Sequence, residues 1–383
     1  MADKYGYWEA SGVKFKNKLQ AMYYATQQNV DVFFKYHNHI WTNFDRSQLG
    51  KVSLDFLYQE RALQLREKYD YLILYYSGGS DSHQILHTFL SNSIKLDEVC
   101  VKWPKALIDG KLYNPDSTNL DASNYWSEWN FAVKPTLDWL REHKPEVKIT
   151  IQDFMEDTSQ IHMSSLFDYA ATMRSGAMNL NRLLTGVVSD TDLRLTDKGL
   201  RVGHIYGIDK PSLTYDEDTK QVGMFFTDFA ISCVCPGQDP DSAECFYWSP
   251  DLPLLPFEMA YAMSDYFNVN QHQLNFLFRR GNTPNLLPLD DIADFQHYLA
   301  RKMCYRSSWD NRFQTNKAKR TDRNDKYYFM FNDNEFENIK RDYLGGLTMH
   351  TEVLDNRFLI TPDNYTTGAK TMSTMSFYVR TLD

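Results

Sequence analysis

Six residues with small side chains follow an apolar stretch, and they have the composition of an anion-binding turn. Ser77–Ser82 reads Ser-Gly-Gly-Ser-Asp-Ser, and we call it the glycine loop. Because Gly78 and Gly79 carry no Cβ and can adopt backbone angles closed to other residues, successive N–H groups there can converge on one anion. Phosphate fits such a turn best where the turn opens a helix. We therefore expect a phosphate-binding loop. The alternative is a Ser/Gly-rich turn that only follows a core strand.

The flanking sequence predicts a strand before the glycine loop and a helix after it. Tyr71–Tyr76 is apolar and aromatic, as in a buried parallel strand. Apolar residues then recur at helical spacing at Ile85, Leu86, Phe89, Leu90 and Ile94. The predicted helix has Asp81 as its N-cap and directs its positive end at the loop. The loop matches neither a Walker A sequence nor the dinucleotide fingerprint, because it lacks the Gly-Lys-Ser/Thr ending and the three spaced glycines.

The loop sequence resembles the SGGxDS signature of the PP-loop ATP pyrophosphatase superfamily, also known as the adenine nucleotide alpha hydrolase-like group. Within it, the chain is most similar to the synthetase domain of asparagine synthetase. Members bind ATP with the pyrophosphate in the loop, and most cleave between the α and β phosphates. The resemblance covers roughly residues 53–210, with the specific motif at 77–82. It implies an α/β fold with a doubly wound parallel sheet of the HUP or Rossmann-like type.

Further strands are predicted after the loop, at residues 97–103, 147–152 and 201–206, with helical patterns between them. Strands that alternate with helices predict a parallel sheet, whose ligand lies outside the carboxyl ends of the strands. Lys102 lies at the end of the first of these strands, and Asp209 and Lys210 follow the last. The resemblance implies charged groups near phosphate and metal at that last strand end. The alternative for Asp209 and Lys210 is a Gly/Pro turn whose charges face water.

Length and pattern predict more than one structural unit, because single cores stop growing at about 250 to 300 residues and the chain has 383. We predict an N-terminal preface at 1–52, a nucleotide-binding domain at 53–232 and a mostly helical substrate or partner region at 233–383. A hairpin is expected at 213–231. Helices are expected at 53–69, at 122–142 with a kink or break near Pro135, and at 157–184, 255–267, 289–305 and 334–343.

Composition restricts the partners. The net charge of −9 opposes non-specific wrapping of nucleic acid. The segment 301–326 is the exception, with nine Lys or Arg against three Asp. A solvated face is the favoured interpretation, and contact with RNA or an anionic substrate is the alternative. No secretory signal or membrane span is predicted, and the odd number of cysteines, five, suggests reduced thiols in a cytoplasmic protein.

Cysteine spacing favours buried thiols over a metal site. Cys233, Cys235 and Cys245 lie close together in the sequence. A structural zinc site needs four ligands with tighter, paired spacing, and no His lies nearby to complete one. We therefore predict that these cysteines are reduced and buried.

The resemblance implies ATP and Mg²⁺ as ligands. Loop amides and serine hydroxyls would hold the β and γ phosphates, Asp81 would hold Mg²⁺, and Lys210 with Lys102 would offset the charge of the departing pyrophosphate. The candidate catalytic residues are Asp81, Asp209 and Lys210. The candidate nucleotide-binding residues are Ser77, Gly78, Gly79, Ser80, Asp81, Ser82 and Lys102.

The expected reaction is adenylation of a small-molecule carboxylate or carbonyl, followed by amide or amidine ligation to ammonia or an amine. Thiolation and PAPS-reductase chemistry are less favoured, because no cysteine follows Cys304. A glutaminase of the asparagine synthetase type would need a cysteine where this sequence has Ala2. Two alternatives stay open, an ATP- or AMP-binding module without adenylation and a tRNA-modifying enzyme. The acceptor and the oligomeric state do not follow from the sequence.

Overall fold

The computed structural model of the chain describes residues 4–102, 129–152, 190–207, 210–228, 242–270, 299–305, 354–355, 358–360, 368–369 and 372–383. The strands are β1 (Tyr7–Ala10), β2 (Val13–Phe15), β3 (Val32–Lys35), β4 (Tyr71–Tyr75), β5 (Glu98–Lys102), β6 (Lys148–Gln152), β7 (Val202–Tyr206), β8 (Ser212–Asp216), β9 (Gln221–Phe225), β10 (Ala243–Cys245), β11 (Leu359–Ile360), β12 (Gly368–Ala369) and β13 (Phe377–Thr381). The α-helices are α1 (Lys18–Gln28), α2 (Asn38–Asn43), α3 (Leu54–Lys68), α4 (Ser80–Ser91), α5 (Lys134–His143), α6 (Asp190–Asp197) and α7 (Leu254–Val269). A 3₁₀ turn lies at Arg46–Gln48 and a π-helical turn at Trp129–Val133.

A five-stranded, all-parallel sheet forms the centre of this α/β fold, in the order β10-β7-β4-β5-β6. The strands predicted at 71–76, 97–103, 147–152 and 201–206 are confirmed as β4, β5, β6 and β7. From β4 the chain adds β5 and β6 on one side, then β7 and β10 on the other. The strand order therefore reverses between β4 and β7. At such a reversal the connections that follow the two strands diverge and leave a crevice at their carboxyl ends.

Successive residues of β4 face opposite sides of the sheet, and both sides are packed. Leu72 and Leu74 belong to the main hydrophobic core. Ile73 packs on the other face with Cys100, and Leu195 of α6 lies against that second cluster. Because both faces are covered, every position of the strand favours an apolar or aromatic residue. This explains the uninterrupted apolar run before the glycine loop.

The helix predicted at 53–69 is confirmed as α3. The Ser53 hydroxyl accepts a hydrogen bond from the Phe56 N–H at 3.3 Å, which caps the helix where the sequence predicted. The crossover helix predicted at 122–142 is described from Trp129, as the π-helical turn followed by α5. Pro135 is the second residue of α5, directly after the point where the π-helical turn becomes an α-helix. Proline cannot donate the backbone hydrogen bond of a regular helix, and this change of helix type lies where the kink or break was predicted.

Two three-stranded antiparallel sheets accompany the central one, in the orders β2-β1-β3 and β13-β9-β8. The hairpin predicted at 213–231 is confirmed as β8 and β9. Its third strand, β13, comes from the C-terminus and was not predicted. Trp8, Phe226 and Trp248 lie in the same main core, so all three predicted units contribute to one packed interior. The domain boundaries stay a prediction.

The region predicted to be mostly helical contains both helix and strand. The helix expected at 255–267 is confirmed as α7, and residues 299–303 of the helix expected at 289–305 are helical. The strands β10 to β13 were not predicted there. The helices expected at 157–184 and 334–343 lie outside the described residues. No helix in the described ranges combines the length and the apolar character needed to cross a membrane.

Candidate functional site

The glycine loop makes a sharp turn between β4 and α4. Gly78 has a φ of 76°, in the region that residues with a side chain rarely adopt. A Cβ added to Gly78 would lie 2.7 Å from Cγ2 of Val133, in the π-helical turn. Gly79 is extended, with φ −77° and ψ 160°, and α4 begins at the next residue, so the N-cap is Gly79 and the prediction of Asp81 as N-cap was wrong. Glycine is therefore needed at position 78 for its backbone angle and for its close packing.

Two serines close the loop on itself. The Ser77 N–H donates to Ser82 Oγ at 3.2 Å, and the Gly79 N–H donates to Ser77 Oγ at 3.3 Å. The Ser82 hydroxyl in turn donates to the Gly79 carbonyl at 3.1 Å. These hydrogen bonds fix the shape of the turn before any ligand arrives. Phosphate contact through the two hydroxyls stays a prediction.

The first turn of α4 presents backbone N–H groups at the loop. In the described part of the chain, the N–H groups of Ser80, Asp81 and Ser82 have no acceptor, and the first intrahelical bond runs from His83 N–H to Gly79 O at 3.0 Å. These orphan donors point along the helix axis together with the peptide dipoles. The combined effect is roughly half a positive elementary charge at this end of the helix. Such an end attracts phosphate.

Lys210 reaches the loop from the β7 side of the crevice. Its Nζ lies 3.1 Å and 3.2 Å from the two carboxylate oxygens of Asp81. Lys210 is 4% exposed and the Asp81 side chain 23%, so the ion pair is largely shielded from water. Asp81 and Lys210, which we predicted as site residues from two separate parts of the sequence, are therefore in direct contact at the loop.

The other two strand-end candidates are described less fully. Lys102 is the last residue of β5 and pairs in register with Gln152 of β6, but its side chain lies outside the described residues. Asp209 also lies outside them. The connections after β5 and β6 begin at residues 103 and 153, beyond the described ranges. The structure therefore describes the walls of the site on the β4 and β7 side.

Sequence reasoning missed the role of Gly207. A Cβ added to this residue would lie 2.9 Å from the Ser82 backbone nitrogen and 3.1 Å from the Asp81 carbonyl carbon. Backbone atoms cannot swing aside as a side chain can, so only glycine lets the end of β7 approach the first turn of α4 this closely. A glycine immediately after a predicted strand end was the available signal.

A buried tyrosine under the loop was also missed. The Tyr247 hydroxyl donates to the Asp81 carbonyl oxygen at 2.8 Å. Burial, followed by the nearby Asp81 charge, raises the pKa of Tyr247 well above its ordinary value, so the hydroxyl keeps its proton. The two residues are 166 positions apart. No local pattern in the sequence could connect them.

The described residues offer little for a metal apart from Asp81. No group of three or more His, Cys, Asp or Glu in the described ranges is arranged to hold a metal ion. Cys245 is buried, while Cys233 and Cys235 lie outside those ranges. A loop-bound triphosphate would supply most of the oxygen ligands that Mg²⁺ needs, so one carboxylate at the loop is compatible with Mg²⁺.

Two cavities occur elsewhere on the described surface. One, of about 200 Å³, lies beside Glu244 and is lined by Lys4, His37 and Lys68, among others. The other, of about 350 Å³, lies between α3 and α4 and is lined by polar residues such as Gln59 and His87. Neither cavity includes a residue of the glycine loop. The loop and Lys210 are still the stronger candidate, because they combine orphan donors, a shielded ion pair and the strand-order reversal.

Comparisons with protein-family models, with curated proteins and with solved structures gave no match.

Proposed function

We propose that this chain binds ATP with Mg²⁺ at the glycine loop and transfers the adenylyl group to a carboxylate or carbonyl oxygen of a small molecule, releasing pyrophosphate. The observation that supports this most is the contact between Lys210 and Asp81 beside the orphan N–H groups of α4. A cation, a carboxylate and a helix N-terminus meet where the strand order reverses. The proposal includes the PP-loop variant of a doubly wound sheet as the fold.

The loop amides would hold the phosphates. Three consecutive N–H groups, of Ser80, Asp81 and Ser82, lack an acceptor in the described structure. The hydrogen bonds between Ser77 and Ser82 keep the turn in one shape, so little reorganisation is needed when the anion binds. Preorganised donors of this kind stabilise negative charge more effectively than water does.

Lys210 would offset the charge of the departing pyrophosphate. Its side chain is almost completely buried, and a charge acts more strongly in a site from which water is excluded. Asp81 holds that ammonium at the loop. When MgATP is bound, Asp81 would serve as an oxygen ligand of Mg²⁺, which supplies charge neutralisation on the phosphates.

The bonds change in two steps. An oxygen of the acceptor attacks the α phosphorus, the bond from that phosphorus to the α,β-bridging oxygen breaks, and pyrophosphate leaves with the electron pair. Ammonia or an amine then attacks the activated carbon, AMP departs, and the nitrogen releases a proton to solvent. The product is an amide from a carboxylate or an amidine from an amide carbonyl. The role of the chain is to position the reactants and stabilise charge, as is general for phosphoryl and nucleotidyl transfer.

A nucleotide-binding module without adenylation is the second candidate. The observation that favours it is that Lys210 contacts both carboxylate oxygens of Asp81, as a purely structural ion pair would. The tRNA-modifying alternative depends on the basic segment 301–326, of which residues 301–305 are described. A cytoplasmic location belongs to the same proposal, and the buried thiols of Cys100, Cys245 and Cys304 support it.

The products of ATP cleavage test the proposal. Purified protein would be incubated with Mg²⁺, ATP labelled at the α phosphate and a panel of carboxylates, amides and amines. We expect labelled AMP together with pyrophosphate, and loss of both in Asp81→Ala. The matched control is Asp70→Ala, which removes an exposed ion pair with Arg201. Asp70 directly precedes the first residue of β4, at the end of the strand away from the glycine loop. Labelled ADP, or equal activity in Asp81→Ala, would contradict adenylation at this site.

A further inference from the structure

Asp81 is held at two points by residues from distant parts of the chain. Its carboxylate contacts Lys210, which follows β7. Its backbone carbonyl accepts the Tyr247 hydroxyl at 2.8 Å, and Tyr247 follows β10, the strand at the edge of the sheet. The segment after the edge strand is thereby connected to the first turn of α4, although β10 does not pair with β4.

Tyr247 belongs to a cluster of three buried tyrosines below the loop. Its ring centroid lies 6.0 Å from that of Tyr58 and 5.7 Å from that of Tyr305. All three rings are almost completely buried. The Tyr58 hydroxyl donates to the Cys304 carbonyl at 3.2 Å, away from the loop. The Tyr247 hydroxyl therefore contacts the candidate site through Asp81, whereas the hydrogen bond of the Tyr58 hydroxyl to Cys304 does not involve the site.

The Tyr247 hydroxyl donates its hydrogen bond from a ring that is completely buried. The carbonyl it contacts lies in the first turn of α4, the turn whose N–H groups lack acceptors.

We propose that Tyr247 is a positioning residue for nucleotide phosphate, acting through the first turn of α4. This inference rests on the proposed function. The hydrogen bond to the Asp81 carbonyl fixes the orientation of that peptide unit, and so of the adjacent N–H groups and the Asp81 side chain. Tyr247 itself does not touch the phosphate. The ligand that this turn would bind is the polyphosphate part of a nucleotide and not the base.

Tyr247→Phe removes the hydroxyl with little disturbance of packing. Phenylalanine keeps the ring and its contacts with Tyr58 and Tyr305. In this variant the Asp81 carbonyl still accepts the α-helical hydrogen bond from the N–H group four residues later in α4. Tyr58→Phe is the matched control, because it removes one buried tyrosine hydroxyl from the same cluster without removing the contact with Asp81.

Calorimetric titration with MgATP and with inorganic tripolyphosphate tests the inference. We expect Tyr247→Phe to weaken both ligands by the same factor, roughly 3- to 10-fold, as for one lost orienting hydrogen bond. Tyr58→Phe should bind both ligands as the wild type does. Amide hydrogen exchange in the second turn of α4, whose N–H groups donate to the carbonyls of the first turn, should rise in Tyr247→Phe and stay unchanged in Tyr58→Phe. Thermal unfolding of the two variants shows whether their stabilities match.

The outcomes separate the inference from the proposed function. If the wild type binds neither ATP nor tripolyphosphate, the proposed function fails and the positioning role fails with it. If the wild type binds both, and Tyr247→Phe binds as tightly as Tyr58→Phe does, the inference alone is overturned. A loss confined to ATP, with tripolyphosphate unaffected, would also overturn it, because the effect would then lie on the nucleoside.

Discussion

Lys210 and Asp81 are 129 residues apart in the chain, yet the Lys210 ammonium lies 3.1 Å and 3.2 Å from the two carboxylate oxygens of Asp81. They meet because β4 and β7 are neighbours in the parallel sheet and both end at the same edge. The sheet thus places a buried cation beside the N-terminus of α4. The proposed phosphate site depends on this contact.

The ion pair should show strong coupling in a double-mutant cycle. Asp81→Ala removes the carboxylate beside a buried ammonium, which we expect to lower the free energy of unfolding by about 2 kcal/mol. This is less than for a fully buried pair, because the Asp81 side chain is 23% exposed. Asp81→Ala combined with Lys210→Met should cost less than the sum of the two single changes. Urea unfolding measures all three variants, and additive effects would contradict the coupling.

Two glycines with the same backbone angle distinguish strain from packing at the loop. Gly78 has φ 76° and Gly199 has φ 78°, so alanine at either position should cost about 1 kcal/mol of backbone energy. A Cβ at position 199 meets nothing within 4 Å, whereas one at position 78 lies 2.7 Å from Val133.

Gly78→Ala should therefore be the less stable variant in urea unfolding and should lose ATP binding. Gly199→Ala should keep wild-type ATP affinity. Equal ATP affinity in the two variants would argue against the glycine loop as the phosphate site.

Gly207→Ala should disturb the site without direct loss of any polar group. The added methyl would press on the backbone of Ser82 at 2.9 Å and displace the first turn of α4. We expect ATP affinity to fall about tenfold, because a small displacement of oriented donors is costly. Equilibrium dialysis with labelled ATP provides the measurement.

Gly203→Ala is the control on the same strand. Its Cβ would lie 2.5 Å from the Tyr69 ring, remote from the loop, so it should reduce stability and leave ATP affinity intact. If Gly203→Ala weakened ATP binding as much as Gly207→Ala does, the effect would be a general consequence of crowding in β7.

Local features of the fold could be predicted from the sequence. The apolar run of β4, the helical spacing of α4 and the Ser53 cap of α3 each depend on residues that are close in the chain. Lys210 could be predicted as a site residue because ligands of parallel sheets bind at the carboxyl ends of the strands, and Lys210 follows the end of a predicted strand.

Features that depend on distant partners could not be predicted. β10 is only three residues long, and its central Glu244 is buried because Arg61 and Lys68, far away in the chain, pair with it. A buried Glu in so short a segment gives no strand signal. The Tyr247 contact with Asp81 was missed for the same reason, since its partner is determined only by the folded chain.

The Glu244 cluster should make stability depend on acid pH. Burial alone would raise the pKa of Glu244, but the charges of Arg61 and Lys4 and the hydrogen bonds from Lys68 and Tyr69 bring it down from 4.5 to about 2. A carboxyl whose pKa is lower in the folded state stabilises the fold above about pH 4.5. That contribution is lost as the pH falls toward 2, and its size is about 3 kcal/mol.

Urea unfolding of the wild type and Glu244→Gln between pH 6 and pH 2 gives the test. The variant should be less stable at pH 6, and its stability should decline less steeply on acidification, since glutamine does not titrate. Parallel pH profiles for the two proteins would show that Glu244 does not titrate differently in the folded and unfolded states.

A crystal structure with Mg²⁺ and a non-hydrolysable ATP analogue, carrying a methylene group between the α and β phosphorus atoms, would show whether the glycine loop binds nucleotide. We expect phosphate oxygens within hydrogen-bonding distance of the N–H groups of Ser80, Asp81 and Ser82, with the Lys210 ammonium in contact with the phosphates. Nucleotide bound elsewhere, with the glycine loop empty and the Lys210–Asp81 pair unchanged, would contradict this expectation.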